Sequence, residues 1–440
     1  MTSVPSIVVP TSPVDHDLAP GPVTRCQVCG NDELVLVLDL GHQPLCDSMR
    51  TTAQLAEPET RWPLRLMRCP RCTLTQLDHV VPGEVVYHPG YPYRSGITRE
   101  LADYQRTFCD GIVGTVGLAP GSLCVDIGSN DGTLLTGFAA NGMRPLGVEP
   151  TDIAQIARDE NGIETIQAFF TESLARDIRA EHGPADVITA TNVFAHMGPL
   201  GEVMRGIGAL LADDGVFISE SHYLLDVVNK TQYDTIYHEH IRTYSLRSLV
   251  TLFAQYDMDV FDVERASRYG GNIRVFVARR GTRPVADAVA DLLAVEHHAG
   301  LHLEDTYESF RTRVLRSRNN LMTEAFRAAE RGDRFVGNSC PGRCVTLLNF
   351  CGMTPDLMPY VAEQPTSLKL GLHVPGLGIP VVDNQILIEE QPDTVVLLAW
   401  HYAEPIAAQL RARGLRSRFL LPLPVVEELA TSADASTAGS

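Results

Sequence analysis

A strand, a glycine turn and a helix follow one another between residues 121 and 135, and this order restricts the chain to few architectures. The segment reads Gly121-Ser-Leu-Cys-Val-Asp126-Ile-Gly128-Ser-Asn-Asp-Gly132-Thr-Leu-Leu. An apolar strand ends at Asp126, glycines let the backbone approach a ligand, and the N-terminal N–H groups of the next helix face the same crevice. We therefore predict an α/β fold with a Rossmann-like sheet.

Three further apolar runs also end in polar side chains, at Glu149, Asn192 and Glu220. The carboxyl ends of parallel strands share one edge of a doubly wound sheet, so these side chains should meet at a ligand site. The turn lacks the G-x-G-x-x-G fingerprint of dinucleotide sites, and its acids suit the cationic amino-acid end of S-adenosylmethionine better than a pyrophosphate. The predicted cofactor-binding residues are Asp126, Gly128, Ser129, Asn130, Asp131, Gly132, Thr133, Glu149, Pro150, Asn192, Val193, Phe194 and His196.

Two C-x-x-C pairs, Cys26/Cys29 and Cys69/Cys72, predict a metal centre in the N-terminal part. Each turn presents two thiolates to one ion, and two turns complete a tetrahedral four-sulfur site of the kind that holds Zn²⁺. Four protein ligands leave no open position, so we expect a structural ion. A nucleic-acid-binding ribbon is the alternative. The net charge of −18 and the pI of about 5.2 disfavour it, because phosphate binding needs clustered Lys and Arg.

The run Tyr237-His238-Glu239-His240 places two imidazoles, a carboxylate and a phenol in four consecutive positions. Imidazole has the side-chain pKa nearest neutrality, and a neighbouring carboxylate can fix its tautomer and raise its basicity. The run therefore indicates a proton-abstraction site. A surface histidine cluster or half of a metal site is the alternative that the run by itself leaves open.

At 440 residues the chain is too long for one ordinary core, so we expect two or three domains. It shows neither a run of 18 apolar residues nor a basic, hydrophobic leader, so we expect a cytoplasmic protein without membrane or nucleic-acid partners. The predicted boundaries are a disordered tail (1–22), a zinc-binding domain (23–82), a central α/β domain (83–280), a helical connection (281–332), a second α/β domain (333–428) and another disordered tail (429–440).

Several motifs together resemble one known family. They are the two C-x-x-C pairs, V-D-I-G-S-N-D-G, T-N-V-F-A-H, Y-L-L-D-V-V-N-K-T-Q-Y-D-T-I-Y-H-E-H and Y-G-G-N-I-R-V, in the family's order over nearly the whole chain. The family comprises zinc-containing, S-adenosylmethionine-dependent C-methyltransferases that act on nucleotide-linked deoxysugars in antibiotic pathways. The resemblance implies a zinc-binding domain, a Rossmann-like class I methyltransferase domain and a C-terminal Rossmann-like domain that helps to enclose the substrate.

In that family a thymidine-diphosphate 4-keto-6-deoxy sugar is methylated at C3, and the resemblance implies roles at matching positions. His240 would remove the C3 proton with help from Glu239, while Tyr237 and His238 would contact the ketone and help to stabilise an enolate. The tyrosines of Y-P-Y-R-S-G, which would pack near the sugar, are Tyr91 and Tyr93. The implied substrate-binding residues are Glu220, Tyr223, Asn272, Arg343 and Lys369.

The sequence departs from the motifs of the family at some positions. Residues 337–344, Gly-Asn-Ser-Cys-Pro-Gly-Arg-Cys, replace a turn of the type G-Y-G-A-P-A-K-G-N, which keeps a cation but adds bulk. Glu220-Ser-His222-Tyr likewise replaces E-x-P-Y. A methyltransferase for the carbon or hydroxyl of another acceptor, and a non-catalytic zinc-ribbon scaffold, are therefore the alternatives. We expect a small-molecule substrate, most simply a nucleotide-linked keto sugar, and a monomer or weak homo-oligomer.

Overall fold

The computed structural model describes residues 7, 10, 14–17, 19–88, 91, 94–96 and 99–429. The chain forms two compact units, each assembled from several segments. Unit 1 comprises Met1–Leu38, Arg65–Leu225 and His238–Thr306, and unit 2 comprises Asp39–Leu64, Asp226–Tyr237 and Tyr307–Ser440. The units are therefore interleaved along the chain, whereas the sequence predicted consecutive domains. Among the described residues, no helix is both long and apolar enough to cross a membrane.

Short strands form the N-terminal part: β1 (Gly21–Pro22), β2 (Val35–Gln43), β3 (Trp62–Arg68), β4 (Thr75–Leu77) and β5 (His79–Val80). β1 pairs with β5, and β3 pairs antiparallel with β4, so that the second cysteine pair lies in the turn between β3 and β4. Disorder was predicted for residues 1–22. Within that range His16 is buried, and its ring nitrogens hydrogen bond to Tyr256 Oη (2.6 Å) and Val28 O (3.0 Å), so this part of the predicted tail is ordered.

The central strands are β6 (Leu123–Ile127), β7 (Arg144–Val148), β8 (Thr165–Ile166), β9 (Ala185–Thr191), β10 (Leu211–His222), β11 (Arg242–Thr243), β12 (Met258–Ala266) and β13 (Asn272–Arg279). Seven of them form a sheet in the order β12-β13-β10-β9-β6-β7-β8. The five strands from β10 to β8 are parallel, and β13 and β12 complete one edge antiparallel. β11 belongs to a separate sheet, β11-β4-β3-β2.

The helices between residues 83 and 331 are α1 (Gly83–Val86), α2 (Arg99–Val116), α3 (Thr133–Ala140), α4 (Ile153–Asp159), α5 (Glu172–His182), α6 (Leu200–Leu210), α7 (Leu224–Asn229), α8 (Leu246–Phe253), α9 (Asp287–His298) and α10 (Glu304–Arg331). The main core joins Phe108 of α2 and Phe138 of α3 to Val187 of β9 and Ile218 of β10. The chain runs outward from β6 through β7 and β8 before it returns to β9. Such a reversal places a ligand crevice at the carboxyl ends of β6 and β9.

Unit 2 has a second sheet, whose strands are β14 (Phe335–Asn338), β15 (Val361–Glu363), β16 (Val381–Asp383), β17 (Thr394–Leu397), β18 (Arg418–Leu421) and β19 (Glu427–Glu428). The order is β16-β15-β14-β17-β18-β19, parallel except for β19. Its helices are α11 (Gly342–Cys351), α12 (Gln385–Glu390) and α13 (Ala403–Ala412). Val336, Leu397 and Phe419 of the strands pack with Leu410 of α13. The predicted α/β class with two Rossmann-like sheets is confirmed.

Candidate active site

Four cysteine sulfurs meet in unit 1. Cys26, Cys29, Cys69 and Cys72 are buried, and their ligand atoms all lie within 4.8 Å of one another. The backbone N–H groups of Val28 and Cys29 lie 3.5 and 3.4 Å from Cys26 Sγ, which is the arrangement of a knuckle whose thiolates are held for a metal. The donor set fits Zn²⁺, because zinc prefers four thiolates in a tetrahedron, and a site closed by four protein ligands is structural.

The glycine turn after β6 closes tightly against the end of β9. Gly128 adopts a φ of +69°, and a Cβ there would lie 2.5 Å from Val193 Cγ2. Val148 O accepts hydrogen bonds from the N–H groups of Gly128 (2.8 Å) and Ser129 (3.1 Å), which draws the turn toward the end of β7. Position 128 therefore requires glycine both for its conformation and for space.

Two buried carboxylates follow the same strands. Asp126 Oδ1 accepts a hydrogen bond from Thr189 Oγ1 (2.6 Å), and burial raises the pKa of Asp126 to about 7. Glu149 accepts hydrogen bonds from Asn130 N (3.0 Å) and from the N–H and hydroxyl of Thr151 (2.9 and 2.7 Å); burial raises its pKa too. Carboxyl groups with raised pKa values are concentrated at functional sites. That these two carboxyl groups bind the cationic cofactor stays a prediction.

A short loop packs on the glycine turn. Asn130 Oδ1 accepts hydrogen bonds from the N–H and hydroxyl of Ser95 (2.8 and 2.9 Å). Asp131 Oδ2 accepts one from the N–H of Gly96 (2.8 Å), and Asp131 Oδ1 accepts one from Thr133 Oγ1 (2.7 Å). Sequence reasoning assigned Asn130, Asp131 and Thr133 to the cofactor. In the structure the side chains of Asn130 and Asp131 hold the loop in place, and that of Thr133 holds Asp131.

Three imidazoles meet at the carboxyl end of the unit 1 sheet. His196 follows β9 in a one-turn 3-10 helix, and His222 ends β10. The ring centre of His240 lies 4.8 Å from that of His196 and 4.7 Å from that of His222. Burial and the neighbouring His240 lower the pKa of His196 well below its ordinary value, so His196 stays neutral at neutral pH. His196 was predicted to bind the cofactor. In the structure its ring contacts that of His240, the predicted base.

Glu239 is buried next to His240 and accepts a 2.9 Å hydrogen bond from the hydroxyl of Tyr91. The structure thus brings together Tyr91 and Glu239, which are 148 positions apart in the chain. His238 is also buried in unit 1. Tyr237 belongs to unit 2, because the division falls between 237 and 238. Tyr93 lies outside the described residues.

Glu220, which precedes the last two residues of β10, belongs to a polar cluster. Arg274 donates to Glu220 Oε2 from Nε (2.9 Å) and Nη2 (2.7 Å), and Tyr104 and Asn272 add hydrogen bonds of 3.1 and 3.0 Å. Substrate contacts were predicted for Glu220 and Asn272. In the structure both side chains are hydrogen bonded within this cluster, and their contact with substrate stays a prediction. Sequence reasoning missed Arg274 and Tyr104. Arg274 was detectable, because it lies two positions after Asn272 and therefore on the same face of β13.

Two other predicted ligand residues have fully buried side chains. Tyr223, assigned to the substrate, is 0 % exposed and lies under the guanidinium of Arg265, 5.6 Å from its ring centre. Phe194, assigned to the cofactor, is also fully buried and stacks on Tyr244 and Phe253 at 5.7 and 5.9 Å between ring centres. A fully buried ring offers no surface to a ligand, and sequence alone does not distinguish such rings from binding ones.

The two cations predicted to bind the substrate in unit 2 both have acidic partners. Arg343 Nε and Nη2 donate to Asp234 at 2.7 and 2.8 Å, and Trp400 Nε1 adds a 2.9 Å hydrogen bond to the same carboxylate. Lys369 Nζ lies 2.7 Å from Asp47 Oδ1. These pairs explain how both charges are accommodated in the interior of unit 2. Nucleotide binding by Arg343 and Lys369 stays a prediction.

Three family profiles match the chain in succession: a zinc-binding domain (26–87), a methyltransferase domain (101–263) and a C-methyltransferase C-terminal domain (267–424). The C-methyltransferase NovU of Streptomyces niveus is 35 % identical over 406 residues, which cover 92 % of this chain and 96 % of NovU. The chain belongs to the C-methyltransferase family. S-adenosylmethionine is its methyl donor, and the four cysteines are its zinc site.

Solved methyltransferase structures are similar to part of this C-methyltransferase. One from Clostridium acetobutylicum is 13 % identical and has a TM-score of 0.33, covering 41 % of this chain and 92 % of its own. Magnesium protoporphyrin IX methyltransferase of Synechocystis, solved with bound S-adenosylmethionine, is 14 % identical, with a TM-score of 0.31, and covers 41 % of this chain and 81 % of its own. Similarities this distant carry no argument about the acceptor.

Proposed function

We propose that this C-methyltransferase removes a proton from the carbon next to a ketone and methylates the resulting enolate. The proposed substrate is a nucleotide-linked 4-keto-6-deoxy sugar methylated at C3. The observation that supports this best is the position of His240, which is 6 % exposed and contacts two other imidazoles at the edge that also bears Asp126 and Glu149. An imidazole there would be able to accept a proton beside the proposed cofactor crevice.

The residue types suit this chemistry. A C–H bond next to a carbonyl becomes acidic only if the developing enolate oxygen receives hydrogen bonds as the proton leaves. His240 would accept the proton, and the Tyr91–Glu239 hydrogen bond would fix the carboxylate beside it. His238 and Tyr237 are the proposed donors to the enolate oxygen. The cofactor supplies an electrophilic methyl group, so the remaining task of the protein is to orient the two reactants.

Hydrogen exchange at C3 tests the role of His240. The full-length enzyme, a thymidine-diphosphate 4-keto-6-deoxy sugar and S-adenosylhomocysteine are incubated in deuterated water, and uptake of deuterium at C3 is followed by NMR. His240→Ala should slow the exchange by roughly 100-fold or more, which is typical for loss of a general base, and leave cofactor affinity nearly unchanged.

His298→Ala is the control for that experiment, because His298 is an exposed imidazole of unit 1. It should exchange C3 hydrogen like the unmodified enzyme. Exchange by His240→Ala at the unmodified rate would show that another group is the base.

A further inference from the structure

We propose that His222 carries the proton of each catalytic cycle from His240 toward solvent. This inference rests on the proposed function, because it requires His240 to act as the base. In the proposed reaction His222 has no other role than its contact with His240.

The proton balance of the reaction creates the need for such a residue. When the C–H bond breaks, its electron pair stays on the substrate as the enolate and the proton moves to His240. The enolate pair then forms the new carbon–carbon bond, while the bond between sulfur and methyl breaks and its electrons remain on sulfur. One proton is therefore released per methyl transferred. His240 cannot act again until it has lost that proton, and it is 6 % exposed.

The two imidazoles that contact His240 differ as proton acceptors. His196 is partly exposed as well, but it is the poorer acceptor, because its surroundings and the adjacent His240 disfavour its protonated form, and the ring of Tyr87 stacks on it at 6.4 Å between ring centres. His222 is partly exposed, and its ring centre lies 4.7 Å from that of His240. His222 is therefore a partly exposed ring in direct contact with the buried base. Imidazole can accept a proton on one nitrogen and release one from the other, which suits a shuttle.

Strand pairing and a neighbouring hydrogen bond hold the backbone at His222 in place. His222 pairs with Asn272 across β10 and β13, and the next residue donates a hydrogen bond to Gly271 O (3.2 Å). The ring of Tyr269 lies 6.0 Å from that of His222. Tyr269 has a φ of +52°, a left-handed conformation that a bulky residue adopts only when its surroundings impose it. The structure thus holds an aromatic side chain beside His222.

Single-turnover and steady-state kinetics separate proton release from methyl transfer. The first turnover starts with a neutral His240 and needs no proton exit, so His222→Gln should keep the single-turnover rate within about twofold. Its steady-state rate should fall about 10- to 100-fold, in the range expected for a lost proton-transfer group. Added imidazole should restore much of the steady-state rate of His222→Gln, because a soluble base can take the proton in its place.

Other outcomes would overturn the relay. Full steady-state activity in both His222→Gln and His222→Phe would show that no relay through His222 is needed. Equal losses of the single-turnover and steady-state rates, without a response to imidazole, would show that His222 only positions other groups. His298→Gln is the matched control and should behave like the unmodified enzyme in the presence and absence of imidazole. If the unmodified enzyme does not exchange the C3 hydrogen, the proposed function itself fails. If it exchanges and the His222 variants turn over normally, the relay alone fails.

Discussion

Asparagine in place of Asp126 should stabilise unit 1 and at the same time weaken cofactor binding. The carboxyl group is 2 % exposed, and burial raises its pKa from the ordinary 3.8 to about 7. One pKa unit corresponds to about 1.4 kcal/mol, so the charged carboxylate costs the folded state roughly 4 kcal/mol at pH 8.5. Asparagine has nearly the same shape and keeps an oxygen that can accept the hydrogen bond from Thr189, but it carries no charge.

The direction of the pH dependence follows from the raised pKa of Asp126. As the pH rises from about 4, the unfolded chain releases this proton first, so the cost to the folded state grows until it is complete above the folded pKa of about 7. The stability gained by Asp126→Asn should therefore be largest at pH 8.5, about 4 kcal/mol, and should fall to about 2 kcal/mol at pH 5. S-adenosylmethionine is cationic, and its affinity should drop about tenfold or more in the variant.

Urea unfolding of the cofactor-free protein at both pH values, followed by circular dichroism, measures this gain. Asp177→Asn, at an exposed carboxyl of α5, is the matched control. Calorimetry gives the affinity for the cofactor. An Asp126→Asn protein that unfolds more easily than the unmodified protein at pH 8.5 would refute the reasoning.

Other parts of the structure give further predictions. Gly128→Ala should weaken binding of S-adenosylmethionine about tenfold in calorimetry, because its Cβ meets Val193 in a left-handed turn; unchanged affinity would contradict this. Cys29→Ser should reduce the zinc content, measured by elemental mass spectrometry, well below one ion per chain, and a full complement would mean that the ligands are others. Arg343→Met should destabilise unit 2 by about 3–5 kcal/mol in fluorescence-detected urea unfolding, since it leaves the Asp234 carboxylate buried without its cation; a loss below about 1 kcal/mol would contradict this.

Local patterns in the sequence were sufficient to predict the elements that consecutive residues determine. The glycine turn at Gly128 and the two cysteine knuckles are of this kind, because conformation and ligand spacing are set within a few residues. The sequence also predicted that Asp126 and Glu149 lie at one edge of the sheet, because the carboxyl ends of parallel strands share that edge.

Features that depend on distant parts of the chain were not predictable in the same way. The pairing of Arg274 with Glu220 spans 54 positions, and the interleaving of the two units depends on which segments pack together. Tyr223 follows a strand like a binding residue, but its full burial depends on packing that no local pattern reveals. His222 follows Glu220 by two positions at the carboxyl end of the same strand, so the sequence could have predicted it as a site residue.

The position of the transferred methyl group tests the central claim most directly. The enzyme is supplied with S-adenosylmethionine carrying a ¹³C-labelled methyl group and a thymidine-diphosphate 4-keto-6-deoxy sugar, and the product is analysed by NMR. We predict that the labelled methyl is bonded to C3 and that the original C3 hydrogen is lost. A label found on oxygen, or transfer at the same rate to an otherwise identical sugar without the ketone, would contradict the account.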